Sequence, residues 1–119
     1  TPAPAYRNPF LNFGNVYGLG VLRHEGTTYL YTASPIPGST DNGVYGWSST
    51  DMVSWQPQGL VLQGPRSIFH NVEVLYRNGR FVMFFNYDSA PGYYTPDHIG
   101  ALLSTAEAAS PNGPFSLFH

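Results

Sequence analysis

The chain has 119 residues, 42% of them hydrophobic and 16% aromatic, with 9 Tyr, 8 Phe and 2 Trp, enough core material for one domain. Only 10% are charged, there is no Lys, and five Arg face seven acidic residues for a net charge of -2. This excludes a charged disordered segment, a coiled coil and the basic footprint of a nucleic-acid binder, and no apolar run approaches the roughly 20 residues of a membrane-spanning helix.

Gly and Pro together make about a fifth of the chain and are spread throughout, which argues against long helices. In chain order, short β-rich runs bounded by turn residues predict strands at 16–23, 27–34, 43–49, 56–62, 70–77, 80–88, 98–105 and 114–118. His24-Glu25-Gly26 separates the first pair, and Asn78-Gly79 separates the fifth and sixth. Asn-Gly between apolar runs signals a tight hairpin, because both central residues of a type I′ turn need positive φ. Only Thr105 to Ser110 has the makings of a helical turn, ended by Pro111. The expected fold class is all-β.

Gly20–Tyr31 lines up with Glu73–Phe84 at a constant spacing of 53 residues, and Trp47-Ser48-Ser49 answers Leu103-Ser104-Thr105 further on. Each half therefore reads as one four-stranded antiparallel meander, over 15–62 and 68–118 of a single 1–119 unit. Repeats of 40–50 residues with four strands each are the signature of β-propeller blades. An eight-stranded β-sandwich is the alternative. Propellers close with typically four to eight blades, and two blades leave strand edges that invite pairing. A homo-oligomer or further blades are therefore expected.

Ser48-Ser49-Thr50-Asp51-Met52-Val53-Ser54-Trp55, followed by Gly59-Leu60-Val61-Leu62, resembles the outer-strand signature of five-bladed propeller glycosidases, glycoside hydrolase family 43 and its relatives. Gly100–Thr105 and then Gly113-Pro114-Phe115 resemble the pattern that closes a blade in that family. Val74-Leu75-Tyr76 with Asn78-Gly79-Arg80-Phe81-Val82-Met83 looks most like the branch that trims β-1,3-galactan. The resemblance runs from about Asn15 to Phe118 and covers about two of five blades. It implies a carbohydrate-active protein: a fragment or subunit hydrolysing a galactan-, arabinan- or xylan-type glycan, secreted, with an oligo- or polysaccharide as partner. The start at Thr1, with neither Met nor leader, reads as a processed or trimmed end.

Inverting hydrolysis needs two carboxyl groups about 6.5–9.5 Å apart, and in a propeller these project from innermost strands. Strand 16–23 has no carboxylate. Asn8-Pro9 resembles the family's Asp-Pro that carries the base; Asn8 can orient a water but cannot take its proton. Glu73 is the sole carboxylate on the inner strands. By the resemblance it falls where most of the family places an acid that tunes the proton donor, while the galactan branch puts its acid at the position of His70. Glu73 and His70 are the catalytic candidates. The bland reading of Glu73 is an ion pair with Arg66 or Arg77, since an unpaired buried carboxylate is costly. Simple alternation sends His70 and Glu73 to opposite faces, so a bulge is required for them to share a pocket. Asn71, beside them, is a candidate sugar contact.

The loop 88–98 holds Tyr93, Tyr94 and Asp97, a composition suited to sugars: aromatic faces against pyranose C–H surfaces and a carboxylate for hydroxyls. Trp47, near the smaller loop 39–43, is a similar candidate. Asp51 reads as a turn cap and Phe115 as core. There is no Cys and no His-x-His or His-Glu-x-x-His spacing, so neither metal nor cofactor is expected. The non-enzymatic alternatives are a self-assembling, lectin-like glycan-binding module and a purely structural unit made to study propeller assembly.

Overall fold

The computed structural model describes residues 16, 18–39, 42–63, 69–87 and 102–117, with side chains for all of these except 69–71, 86–87 and 102–103. The described residues form eight strands and no helix: β1 (Gly18–His24), β2 (Thr27–Pro35), β3 (Asn42–Ser49), β4 (Gln56–Leu62), β5 (Phe69–Arg77), β6 (Arg80–Tyr87), β7 (Leu102–Ala108) and β8 (Ser116–Leu117). They pair antiparallel as two meanders, β1-β2-β3-β4 and β5-β6-β7-β8.

The turns explain the shared architecture. Glu25-Gly26 and Asn78-Gly79 both take left-handed backbone, with φ of 49° and 81° in the first and 51° and 80° in the second. That pair of positive φ values is what a two-residue hairpin between right-twisted strands needs. Each turn sets the same register: His24 opposite Thr27 and Gly20 opposite Tyr31 in one sheet, Arg77 opposite Arg80 and Glu73 opposite Phe84 in the other. The 53-residue repeat is therefore a structural equivalence, position by position, through the first hairpin of each sheet.

The third strands align differently from the sequence reading. Thr28 pairs with Ser49, and its equivalent Phe81 pairs with Ala108, so Trp47–Ser49 corresponds to Ala106–Ala108 rather than to Leu103–Thr105. Of the expected strand at 98–105, residues 98–101 lie outside the described residues; its end and the helical turn at 105–110 are corrected together. The extended backbone continues to Ala108, with Ala106 and Ala108 buried in the core. The turn comes after them, at 109–112.

One core joins the sheets. Leu22, Tyr31, Val44, Val61 and Leu62 of the first meet Val72, Val74, Phe81, Met83, Phe85 and Phe115 of the second. Met83 and Phe85 are fully buried, and such burial contributes about 1.5–3 kcal/mol per side chain. Sheet-to-sheet contact is concentrated where β5 lies on β1, with β2 and β3 also reaching β5. That arrangement fans outward from the inner strands, as propeller blades do, rather than laying two sheets evenly together as a sandwich does. At the turn end, His24 of β1 packs its ring 4.4 Å from Tyr76 and 5.0 Å from Phe81.

The outer side of the interface is pinned by the segment after β7. The Phe115 N–H donates to the Val61 carbonyl at 2.8 Å, and the Phe115 ring meets Tyr31 edge to face. The Tyr31 hydroxyl donates to the Pro111 carbonyl at 2.6 Å. Burial, with the nearby Tyr29 second, pushes the Tyr31 phenol well above its ordinary value, so it stays a donor. Removing that hydroxyl in Tyr31→Phe leaves the Pro111 carbonyl short of a partner. Urea denaturation should then show a stability loss of about 1–2 kcal/mol; an unchanged midpoint would mean the bond carries no net weight.

Asp51 is the turn cap the sequence suggests. Its Oδ1 accepts the N–H groups of Val53 and Ser54, both at 2.8 Å, and the Ser49 hydroxyl at 3.0 Å. The Met52 N–H goes instead to Ser49 Oγ at 2.7 Å. The Ser54 N–H first, then that of Val53 and the Ser49 hydroxyl, hold the carboxyl below its ordinary value. A depressed folded-state pKa contributes stability above the unfolded value and loses it as pH falls through the folded one. Asp51→Ala should therefore melt below the unmutated chain at neutral pH. The gap should narrow as the solution is acidified past the ordinary aspartate value, and a gap independent of pH would sink this account.

Candidate functional site

The site is built by a close approach of two strands. Gly20 of β1 is buried, and a β-carbon placed on it would stand 2.4 Å from the Val72 carbonyl oxygen and 3.2 Å from the Glu73 Cα. With no side chain there, the β1 backbone lies directly on β5. Beside this approach opens a cleft of about 310 Å³ lined by Leu19, Gly20, Val21, Val72 and Glu73. Glu73 is the one carboxylate lining it among the described residues.

Glu73 is exposed rather than sunk in the core. The expectation of a buried charge in need of a partner is thus corrected: β5 alternates, Val72 and Val74 facing the other sheet while Glu73 and Leu75 face away. Arg77, described with its side chain, makes no ion pair with Glu73, and Arg66 lies outside the described residues. Among the described residues, the Glu73 carboxylate makes no ion pair.

The bulge that a shared face requires is present. His70 pairs with Asn86 and Glu73 with Phe84, three residues on β5 against two on β6. The extra residue puts His70 and Glu73 at register positions of the same parity. The side chains of His70 and Asn71 are outside the described part of the structure, as are Asn8, Tyr93, Tyr94 and Asp97 entirely. Trp47 is 6% exposed on β3, opposite Leu30 and Pro57, and does not border the cleft. Its ring, 6.5 Å from that of Tyr45, offers little free face to a sugar. Among the described residues, no three His, Asp or Glu side chains come together as a metal site.

Leu19, Gly20 and Val21 border the cleft, and reading for carboxylates passed over them. The signal was in the repeat: Gly20 is the equivalent of Glu73, so one position carries a void in the first sheet and an acid in the second.

The sequence matches no protein-family model and no curated protein closely enough to count as a relative. Solved structures do match. A thermostable family 43 glycoside hydrolase superposes with a TM-score of 0.75 at 28% identity, over 96% of this chain and 35% of its own. A candidate exo-β-1,3-galactanase from Bifidobacterium bifidum s17 gives 0.67 at 28%, over 87% and 36%. A family 43 β-1,3-galactosidase solved with galactodeoxynojirimycin gives 0.70 at 25%, over 88% and 33%. The chain spans about a third of the length of these structures. In three dimensions it is a pair of four-stranded β-propeller blades that resembles family 43 glycoside hydrolases, exo-β-1,3-galactanases prominent among them.

Proposed function

We propose that the chain is the two-blade part of a secreted glycoside hydrolase acting on O-glycosidic bonds of a galactan-, arabinan- or xylan-type glycan, β-1,3-galactan first. The observation that carries this is the exposed Glu73 carboxylate in a cleft between the inner strands of a glycosidase-type propeller. In the reaction a carboxylic acid protonates the leaving glycosidic oxygen while a carboxylate takes a proton from water, which attacks C1 from the opposite face and inverts it. Glu73 belongs to the acid side, as the donor or as the group that sets the donor's pKa, with His70 beside it in register. The base is a second carboxylate beyond the described residues. Asn8, Asn71, Tyr93, Tyr94, Asp97 and Trp47 remain the proposed sugar contacts, Trp47 the weakest because it is buried.

One observation favours a second reading, a non-catalytic glycan-binding module that self-assembles. Among the described residues no second carboxylate lines the cleft, and Leu19, Val21 and Leu75 are about half exposed on the inner strands. Hydrolysis of β-1,3-galactooligosaccharides by the chain and by its Glu73→Gln form separates the two. Loss of general acid–base help should lower kcat roughly a hundredfold or more. Unchanged turnover in the variant would remove Glu73 from the mechanism, and binding without turnover in a protein that carries the full set of blades would favour the lectin-like reading.

A further inference from the structure

We infer that Gly20 is the positioning residue of the cleft, setting its width and the placement of Glu73 through the backbone of β5. This rests on the reading of the cleft as a glycan site. Gly20 is not among the glycines with positive φ, so its backbone does not call for glycine. What calls for it is space: the atoms a β-carbon would meet are the Val72 carbonyl oxygen at 2.4 Å, the Val72 carbonyl carbon at 3.0 Å and the Glu73 Cα at 3.2 Å. All three are backbone, which cannot swing aside as a side-chain end can. Any larger residue must push β1 and β5 apart.

The approach falls on the irregular part of β5. The register shift lies between His70 and Glu73, so Val72, whose carbonyl meets Gly20, sits within the bulged segment. A bulge loosens the ladder to β6 locally, and β1 braces that segment from the other side. The cleft opens beside this contact and is lined by Leu19, Gly20 and Val21 of β1 and by Val72 and Glu73 of β5. The same contact that braces Glu73 therefore fixes the distance across the cleft. The repeat strengthens the point: Gly20 and Glu73 hold equivalent positions, opposite Tyr31 and Phe84. The fold tolerates a long side chain at this position where it meets open space, and glycine stands where it meets another strand.

The test compares Gly20→Ala with Leu22→Ala. Leu22 is buried on the same strand and the same face, so its truncation costs stability without wedging the strands. The chain has no Cys, so nitroxides on Leu19→Cys and Glu73→Cys report the width of the cleft by their dipolar coupling. Gly20→Ala should weaken that coupling and lower kcat on β-1,3-galactooligosaccharides roughly tenfold or more, with KM within about twofold. Leu22→Ala should keep both coupling and kcat within about twofold even where it melts lower. If the chain binds sugar without turnover, Kd by titration replaces kcat and should weaken in Gly20→Ala alone. Unchanged coupling in Gly20→Ala, a wider cleft with undiminished kcat or Kd, or an equal loss in Leu22→Ala would each overturn the assignment. So would failure of Gly20→Ala to fold, which would make the glycine a requirement of folding rather than of the site. A failed glycosidase reading shows separately, as indifference of turnover to Glu73→Gln, and leaves the coupling to decide whether Gly20 sets the cleft.

Discussion

The two sheets meet through a backbone-on-backbone approach, and the rest of the interface is arranged around it. Where β1 lies on β5 there is no room for even one carbon beyond the main chain at Gly20. Close approach at the inner strands lets Leu22 reach the Val72 and Val74 side of β5 and brings Met83 and Phe85 behind them into the shared core. Interiors packed to this density tolerate little change in volume at such a point. Farther out, the Phe115 N–H on the Val61 carbonyl and the Tyr31 hydroxyl on the Pro111 carbonyl tie the sheets together.

Because the halves are equivalent through their first hairpins, the same position can be compared in two environments. Leu22 is 9% exposed where it faces β5, and its equivalent Leu75 is 50% exposed on the far side of the second sheet. Val74 is buried at 1% exposure, whereas its equivalent Val21 is about half exposed. A residue's burial here is thus decided by which face of which sheet meets a neighbour, not by its own chemistry. The chain covers only about a third of the structures it resembles, and these bare inner-strand positions are the ones a neighbouring sheet buries within the chain itself.

Glu73 gains its chemical interest from the same logic. Equivalent to a glycine, on a strand whose alternate residues are buried, it faces away from the core and lines the cleft. An exposed carboxylate there bears little burial penalty. The bulge beside it brings His70 into the same register parity, so the two alternative readings of the acid position converge on one stretch of β5.

What the sequence determined by itself was local: the all-β class, eight strands with the boundaries of most within one or two residues, the Asn78-Gly79 hairpin, the Asp51 cap and the two-fold repeat. Alternation, turn geometry and side-chain capping act over a few residues and leave their mark in the order of the residues. The shifted third strand, β7, escaped because Thr105–Ser110 has the makings of a helical turn, and only the assembled core shows Ala106 and Ala108 buried in extended backbone. The tertiary structure alone decided that Glu73 is exposed rather than buried, that Arg77 does not pair with it, that Trp47 turns inward, and that Gly20 forms a wall of the cleft. Each of those depends on residues about 20 to 50 positions apart being brought together, and no local pattern encodes which face of a strand will meet them.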